Sequence, residues 1–267
     1  MRRRNFRIRM AIGTAVLLVA YYCYLYVAEP FDANVLDFMM SGMIVLAALT
    51  AAVLSLLVWY RYGVSSPPRR VWFSYALALC GWALAECIWL YEYAMDGAYL
   101  VGPADVFWVA SYAFFAAAMY HQYVLIYRPH RRVGAAFLFL CILAVLMFTW
   151  LLAVWLGGTV GRGLDAETLV TAFYAVGDFA VLLAALLLVF AFRNGALGRP
   201  WLGLLVFALS DFLYAWLEIS GGYSWNVMQG NTLTLLTDAL YFAAYLAIAL
   251  GCYSQWLLLS YGPRLKI

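Results

Sequence analysis

Long apolar runs separated by short polar stretches dominate the hydrophobic pattern of this chain of 267 residues. Eight of the runs are long enough for a transmembrane helix, which needs roughly 20 apolar residues to cross a hydrocarbon core of about 30 Å. They cover approximately residues 10–28, 38–60, 71–93, 104–127, 134–156, 168–192, 200–220 and 233–259. The alternation of polar and apolar residues that a membrane β-barrel requires is absent. The pattern therefore predicts an all-α integral membrane protein, with eight transmembrane helices in a single membrane domain, 1–267.

The composition indicates the same class of protein. Hydrophobic residues make up 68% of the chain and charged residues only 11%, whereas a soluble domain carries roughly 25% charged residues. A water-soluble fold of this size would have too few polar residues to cover its surface. The formal net charge is only +3 and the basic residues are scattered, which argues against a nucleic-acid-binding protein. The five cysteines form no CxxC pair, so we expect neither a disulfide framework nor a metal site.

Basic residues are distributed unevenly over the segments that connect the predicted spans. All but one of the 16 lysines and arginines fall in the N-terminal segment, the C-terminal segment and every second connection, the exception being Arg162. Cytoplasmic segments carry such an excess, so we expect a cell (inner or plasma) membrane protein with both termini cytoplasmic. The first span has the basic start of a signal peptide, but it is long and lacks a small-residue cleavage site. We therefore expect a retained anchor.

The third and fourth spans share a pattern with the seventh and eighth. Its members, an acid, an aromatic residue, an alanine and a tyrosine at fixed spacing, are Asp105, Trp108, Ala110 and Tyr112, then Asp238, Tyr241, Ala243 and Tyr245. The spans before these carry an acid after a small residue, at Glu86 and Asp211. Both hairpins run in the same direction across the membrane. The pattern predicts two parallel four-helix repeats, about 1–127 and 134–267, related by an axis along the membrane normal.

Acidic residues inside the predicted spans are the strongest candidates for function. Six fall within a span or at its outer edge: Glu86, Asp105, Asp178, Asp211, Glu218 and Asp238. A charged group at the membrane centre costs on the order of 2.5–3.5 kcal/mol, and no lysine or arginine lies at comparable depth. Each acid must then be protonated, hydrogen-bonded, in contact with water or bound to a cation. We predict a ligand-binding cavity, open to the outer face, that these acids form with tyrosines on the same helix faces, Tyr112, Tyr214 and Tyr245.

Structural roles remain open for several of these acids. Asp105 and Asp238 lie near the start of their predicted helices, where a carboxylate caps free backbone N–H groups. Glu86 and Asp211 are equally suited to inter-helix hydrogen bonds with Tyr112 or Tyr245. The spans contain no lysine for a retinal Schiff base, no pair of deep histidines for haem and no hydrolase motif such as HExxH or GxSxG. The sequence thus identifies no cofactor.

Residues from about 71 to 255 resemble the multi-span membrane sensor region found ahead of diguanylate cyclase (GGDEF/EAL) and histidine kinase modules. The similar motifs are Gly81-Trp82…Glu86, Pro103-Ala-Asp105-Val-Phe-Trp108…Tyr112, Ser210-Asp211…Tyr214, Gly221-Gly222-Tyr223 and Asp238…Tyr241…Tyr245. The chain departs from that pattern in lacking the serine and the Tyr-Pro usual around the fourth-span motif, where it has Tyr112-Ala113, and we expect no output domain. The resemblance implies a non-enzymatic sensory, ligand-binding or docking module. Its readout would be a separate membrane or signalling protein.

A weaker likeness extends to the lysoplasmalogenase-like family of eight-span membrane hydrolases. In that family, too, acids follow a small residue within a span, as Asp178 follows Gly177 and Asp211 follows Ser210 here. That likeness implies Asp178 and Asp211 as a general acid and general base acting on a lipid. A third hypothesis is an accessory subunit of a larger membrane complex. Apart from the lipid bilayer, the expected partner is therefore another membrane or signalling protein.

Overall fold

The computed structural model describes residues 2–95, 101–127, 131–160, 165–191, 199–224 and 230–261. Within these ranges the chain forms eight helices and no strand. The helices are α1 (Arg2–Ala28), α2 (Ala33–Arg61), α3 (Pro68–Met95), α4 (Pro103–Tyr127), α5 (Arg131–Val160), α6 (Ala166–Ala191), α7 (Arg199–Ile219) and α8 (Thr232–Tyr261). All eight are long and apolar enough to cross a membrane, which confirms the predicted number of spans. Arg162 and residue 192, the last of the sixth predicted run, lie outside the described residues.

The helix ends follow local backbone rules. Glu29 has a positive φ of 44° and its N–H bonds to the carbonyl of Leu25, after which Pro30 prevents α1 from continuing. At the end of α7, Gly221 has a φ of 66°, a conformation that glycine adopts without strain. The N–H of Gly222 then bonds to the carbonyl of Leu217 at 2.8 Å, which is the Schellman pattern.

Contacts between helices define a closed ring of six. The ring runs from α2 through α3, α4, α6, α7 and α8, and α8 packs back against α2. Helix α1 lies outside the ring against α8 and α2, and α5 lies outside it against α6. Helices α3 and α7 therefore face each other across the ring.

Aromatic side chains fill the centre of this ring. Trp82 of α3 stacks on Phe207 of α7 with ring centroids 4.1 Å apart. The ring of Tyr112 from α4 meets Trp82 edge-on at 6.1 Å, and that of Tyr245 from α8 does so at 6.2 Å. The carboxyls predicted to form a site lie one helical turn beyond this stack, since Glu86 follows Trp82 by four residues and Asp211 follows Phe207 by four.

Small residues allow the close helix approaches that hold the ring together. A Cβ at Gly203 of α7 would lie 2.6 Å from the backbone nitrogen of Ile248 in α8, and a Cβ at Gly81 of α3 would collide with the Ser111 hydroxyl of α4. Four alanines of α2 are also buried: Ala47, Ala48, Ala51 and Ala52. Such close packing is the main source of helix association in a membrane, where lipid tails are as apolar as the side chains.

Candidate functional site

Glu86 of α3 is held by two tyrosines of α8. Its side chain is only 4% exposed, and its Oε1 accepts hydrogen bonds from the hydroxyls of Tyr241 at 2.5 Å and Tyr245 at 2.8 Å. The two tyrosines lie one turn apart on the same face of α8, so both can reach the same carboxyl. The indole of Trp108 from α4 also lies beside Glu86. Of the two sequence interpretations of Glu86, inter-helix hydrogen bonding to Tyr245 is therefore present.

Two tyrosine–carboxyl hydrogen bonds join α4 to α6 in opposite directions. Tyr112 of α4 donates to Asp178 of α6, and Tyr174 of α6 donates to Asp105 of α4 at 2.5 Å. Gly177 makes the first bond possible, because a Cβ at this position would lie 2.9 Å from Cε1 of the Tyr112 ring. The small residue that precedes Asp178 in the sequence therefore provides room for its hydrogen-bond donor.

Asp105 caps the start of α4, which is the structural role that its position suggested, and it also bonds to another helix. Its Oδ2 accepts a hydrogen bond from the backbone N–H of Gly102 at 2.7 Å, which caps the start of α4. Its Oδ1 accepts the bond from Tyr174 on another helix. Capping and cross-helix bonding together occupy both oxygens of this carboxylate.

Asp211 of α7 connects the group around Glu86, on α3 and α8, with the group around Asp178, on α4 and α6. Its carboxyl interacts electrostatically with those of Asp178 and Glu86. Its charge also acts on the hydroxyls of Tyr112 and Tyr241. The side chain of Asp211 is partly exposed, and no described residue donates a hydrogen bond to it. The Asp211 carboxyl therefore lies next to both groups of side chains and is available to accept a hydrogen bond.

Asp238 does not cap α8, contrary to one of the two sequence expectations. The side chain of Asn231 caps this helix instead, because its Oδ1 accepts from the backbone N–H groups of Leu233 at 2.9 Å and Thr234 at 3.0 Å. Asp238 lies nearly two turns into the helix and accepts a hydrogen bond from the Tyr223 hydroxyl at 2.8 Å. Burial and the neighbouring Asp238 carboxylate both raise the pKa of Tyr223, which remains a neutral donor.

The remaining two predicted residues lie at the edge of this cluster. Tyr214 interacts electrostatically with Glu218, Asp211 and Asp238, and its ring meets that of Tyr223 edge-on at 4.9 Å. Glu218 is half-buried and lies beside Glu167 of α6. The structure thus links Glu86, Asp105, Tyr112, Asp178, Asp211, Tyr214, Asp238 and Tyr245 by hydrogen bonds or electrostatic contacts, with Glu218 at the periphery. We call this set, with Tyr174, Tyr223 and Tyr241, the carboxyl–tyrosine network.

Three hydroxyl donors of the network were not among the predicted site residues. They are Tyr174, Tyr223 and Tyr241. Two of them carried a usable signal in the sequence, because Tyr174 precedes Asp178 by four residues and Tyr241 precedes Tyr245 by four, which places each pair on one helix face. Tyr223 lies in the segment after α7, where no helical period applies.

The network contains acceptors and neutral donors, which limits its chemistry. Among the described residues no group of three or more histidine, cysteine or acidic side chains is arranged to hold a metal ion. The arrangement suits a ligand that donates hydrogen bonds or carries positive charge, or a proton transfer between paired carboxyls. Comparison with protein families, with characterised proteins and with solved structures found no match for this chain.

Proposed function

We propose that this chain is a membrane-embedded sensory or docking module whose carboxyl–tyrosine network binds a small ligand, and that a separate protein carries the readout. The observation that carries this proposal is the state of Asp211. It is a partly exposed carboxyl in the interior of the ring, it adjoins two further carboxyls, and no described residue donates a hydrogen bond to it. A carboxyl in that position is costly unless something else binds it.

The chemistry of the ligand follows from the surroundings of Asp211. Glu86 and Asp178 are its acidic neighbours, and tyrosine hydroxyls are the donors around it. An anionic ligand would be repelled, whereas an amine or another hydrogen-bond donor would be attracted. The indole N–H of Trp82, buried beside Tyr112 and Tyr245 without an acceptor, offers the ligand one donor in return.

Reaction with a hydrophobic carbodiimide tests whether Asp211 is reachable. Dicyclohexylcarbodiimide modifies protonated carboxyls in apolar surroundings, and peptide mass spectrometry locates the adduct. We expect labelling at Asp211 and protection of Glu86 and Asp178, because tyrosine hydroxyls bond to both of these. Labelling of Glu86 or Asp178 with Asp211 unmodified would contradict the proposal.

Native mass spectrometry of the mildly extracted protein tests ligand and partner together. The wild-type chain is expected to retain a bound small molecule that Asp211→Asn loses, while both retain the same partner subunit. Glu29→Gln is the matched control, because Glu29 is an exposed acid away from the network. Identical small-molecule content in wild type and Asp211→Asn would remove the binding role of Asp211. A lone, ligand-free chain in both would remove the sensory proposal and the accessory-subunit alternative.

We also propose that the ring arose from two parallel four-helix repeats, 1–127 and 134–267. The order of contacts supports this, because exchanging α2, α3 and α4 with α6, α7 and α8 reproduces the ring. Helices α1 and α5 both lie outside the ring, although α1 packs mainly against α8 whereas α5 packs against α6, so their positions correspond only in being peripheral. The excess of basic residues at the termini and in alternate connections supports an orientation with both ends in the cytoplasm.

The second candidate function is an intramembrane lipid hydrolase. The observation in its favour is the unequal environment of two adjoining carboxyls, since Tyr112 holds Asp178 whereas Asp211 accepts no hydrogen bond from a described residue. Two acids in different environments suit a general acid and general base pair. Asp211→Asn would then abolish cleavage of a vinyl-ether lysophospholipid in detergent micelles. Full activity in that variant, or no activity in the wild type, would exclude this function.

A further inference from the structure

Asp37 of α2 lies outside the carboxyl–tyrosine network and has one oxygen without a partner. Its side chain is 8% exposed, and the Tyr93 hydroxyl of α3 donates to its Oδ2 at 3.0 Å. Its Oδ1 is fully buried and has no hydrogen-bond partner. A buried acceptor of this kind is expensive to leave unsatisfied.

The described surroundings of Asp37 supply oxygens and aromatic rings but no basic side chain. Tyr22 and Tyr26 of α1 interact electrostatically with both Asp37 and Asp238 of α8, so two carboxyls act on the same pair of hydroxyls. The segments of α1, α2, α3 and α8 that meet here, 20–40, 85–95 and 230–245, contain no lysine or arginine. The charge of Asp37 is therefore not balanced from within these segments.

We propose that Asp37 Oδ1 binds a small monovalent cation at the junction of α1, α2, α3 and α8. A carboxylate with nearby hydroxyls offers hard oxygen ligands to an alkali-metal ion and hydrogen-bond acceptors to an ammonium group. A divalent metal fits less well, since no group of three metal-binding side chains occurs among the described residues. The hydroxyl oxygens of Tyr22, Tyr26 and Tyr93, all of which interact with Asp37, add further partial negative charge close to the ion.

The bound cation would connect four helices that meet at one end of the bundle. Tyr93 is fixed by stacking on Trp89 at 5.5 Å, and Tyr22 by stacking on Phe242 at 5.0 Å. Both tyrosines are thus held in place around Asp37 before the ion binds, which reduces the ordering that binding requires. Helix α1, which packs outside the ring, gains a further attachment to α2 and α8 through this ion.

Thermal stability of the purified full chain in mild detergent tests the proposal. The protein is exchanged into N-methylglucamine chloride and titrated at constant ionic strength with sodium, potassium, ammonium or methylammonium chloride. We expect a saturable rise of several degrees in Tm with at least one of these ions. A rise with sodium or potassium identifies an alkali-metal site, and a rise with the ammonium ions alone identifies an amine site.

Three variants show whether Asp37 is responsible. Asp37→Asn is expected to lose the dependence on the cation, and Tyr93→Phe to shift its midpoint at least several-fold to higher concentration. Asp32→Asn, at an exposed acid five residues earlier, is the matched control and should behave as the wild type. An unchanged Tm in all salts, or a cation dependence that persists in Asp37→Asn, would overturn the proposal. If Asp37→Asn does not fold, an unshifted midpoint in Tyr93→Phe overturns it instead.

Discussion

At the scale of single residues, tyrosine hydroxyls take the place that basic side chains occupy in many buried ion pairs. Glu86, Asp105, Asp178 and Asp238 each accept a hydrogen bond from a tyrosine of another helix or connecting segment. A neutral donor satisfies the carboxyl without burying a second charge, which would carry its own desolvation cost. The consequence is a polar interior whose stability depends on particular hydroxyl groups.

The number of hydroxyl donors that bond to a carboxyl determines how much unfolding free energy is lost when one donor is removed. Among the described residues Asp178 accepts from Tyr112 alone, whereas Glu86 accepts from both Tyr241 and Tyr245. Tyr112→Phe should therefore cost about 1–3 kcal/mol of unfolding free energy, the usual cost of an unsatisfied buried polar group, and Tyr241→Phe less. Thermal unfolding in detergent measures the difference. Equal losses in the two variants would show that the hydroxyl count does not govern stability here.

Gly177 provides a second test at this scale. Gly177→Ala places a Cβ 2.9 Å from the Tyr112 ring, which is confined by Trp82 and Phe173 and has little room to move. We expect a loss of about 1–3 kcal/mol from overpacking. Gly158→Ala is the control, because a Cβ there meets no atom within 4 Å. Comparable Tm values for the two alanine variants would contradict the proposed role of Gly177.

The sequence predicted which acids would be buried better than it predicted their donors. Acids within an apolar run are visible from composition alone, and helical spacing drew attention to Tyr112 and Tyr245, which donate hydrogen bonds to Asp178 and Glu86. The choice of Tyr112 for Asp178, and of Tyr174 for Asp105, depends on how α4 crosses α6. Asp37 carries no such signal, because it lies just outside the predicted apolar run, although it is buried in the fold.

At the scale of helices, Gly203 and Gly81 differ in the kind of atom that lies opposite them on the neighbouring helix. A Cβ at Gly203 would meet backbone atoms of Ile248, which cannot move without shifting α8, whereas a Cβ at Gly81 would meet the rotatable hydroxyl of Ser111. Gly203→Ala should therefore lower Tm more than Gly81→Ala. Gly42→Ala, where nothing lies within 4 Å, is the control.

The contact at Gly81 also permits a rescue experiment. Removing the opposing hydroxyl with Ser111→Ala leaves the Phe107 carbonyl oxygen, 3.5 Å away, as the nearest atom, with the Ser111 Cβ at 3.6 Å. The double variant Gly81→Ala/Ser111→Ala should regain most of the stability that Gly81→Ala loses, giving a coupling energy of about 0.5–3 kcal/mol. Additive losses would show that the two helices adjust in another way.

Helix limits were predicted more accurately than helix neighbours. The apolar runs marked all eight helices because the hydrocarbon thickness fixes the length of a span. The polar residues that extend these helices beyond the runs, such as Arg2 to Arg9 of α1, carry no apolar signal. The contacts of α4 with α6 and of α2 with α8, which close the ring, depend on side-chain fit between helices that are not adjacent in sequence.

At the scale of the whole molecule, the distribution of basic residues predicts which connecting segments face the cytoplasm. Single cysteines at exposed Ser65 and Glu29, in a background without the native cysteines, should react with a membrane-impermeant maleimide from opposite sides. Glu29→Cys should label in intact cells and Ser65→Cys only in inverted vesicles, since Ser65 lies between Arg61 and Arg69. Labelling of Ser65→Cys in intact cells would show that the orientation is the opposite of the one proposed.

The two-repeat architecture is tested at the centre of the ring. Trp82 and Phe207 occupy corresponding positions, each four residues before the acid of its proposed repeat, and their rings stack on each other. If the halves are equivalent, exchanging the two residues should preserve the total volume and the stack. Trp82→Phe alone leaves a cavity, and Phe207→Trp alone overpacks by about 1–3 kcal/mol.

The exchanged double variant Trp82→Phe/Phe207→Trp should therefore be more stable than the sum of the single losses predicts, by about 0.5–3 kcal/mol. Phe115→Trp with Trp201→Phe is the matched control, because both residues are buried and contact Tyr75, but they do not occupy corresponding positions. That pair should show additive losses, since neither ring can fill the space left by the other. Equal coupling energies in the two pairs would mean that the centre of the ring tolerates any exchange of aromatic side chains. The stacking of Trp82 on Phe207 would then no longer support an origin by duplication.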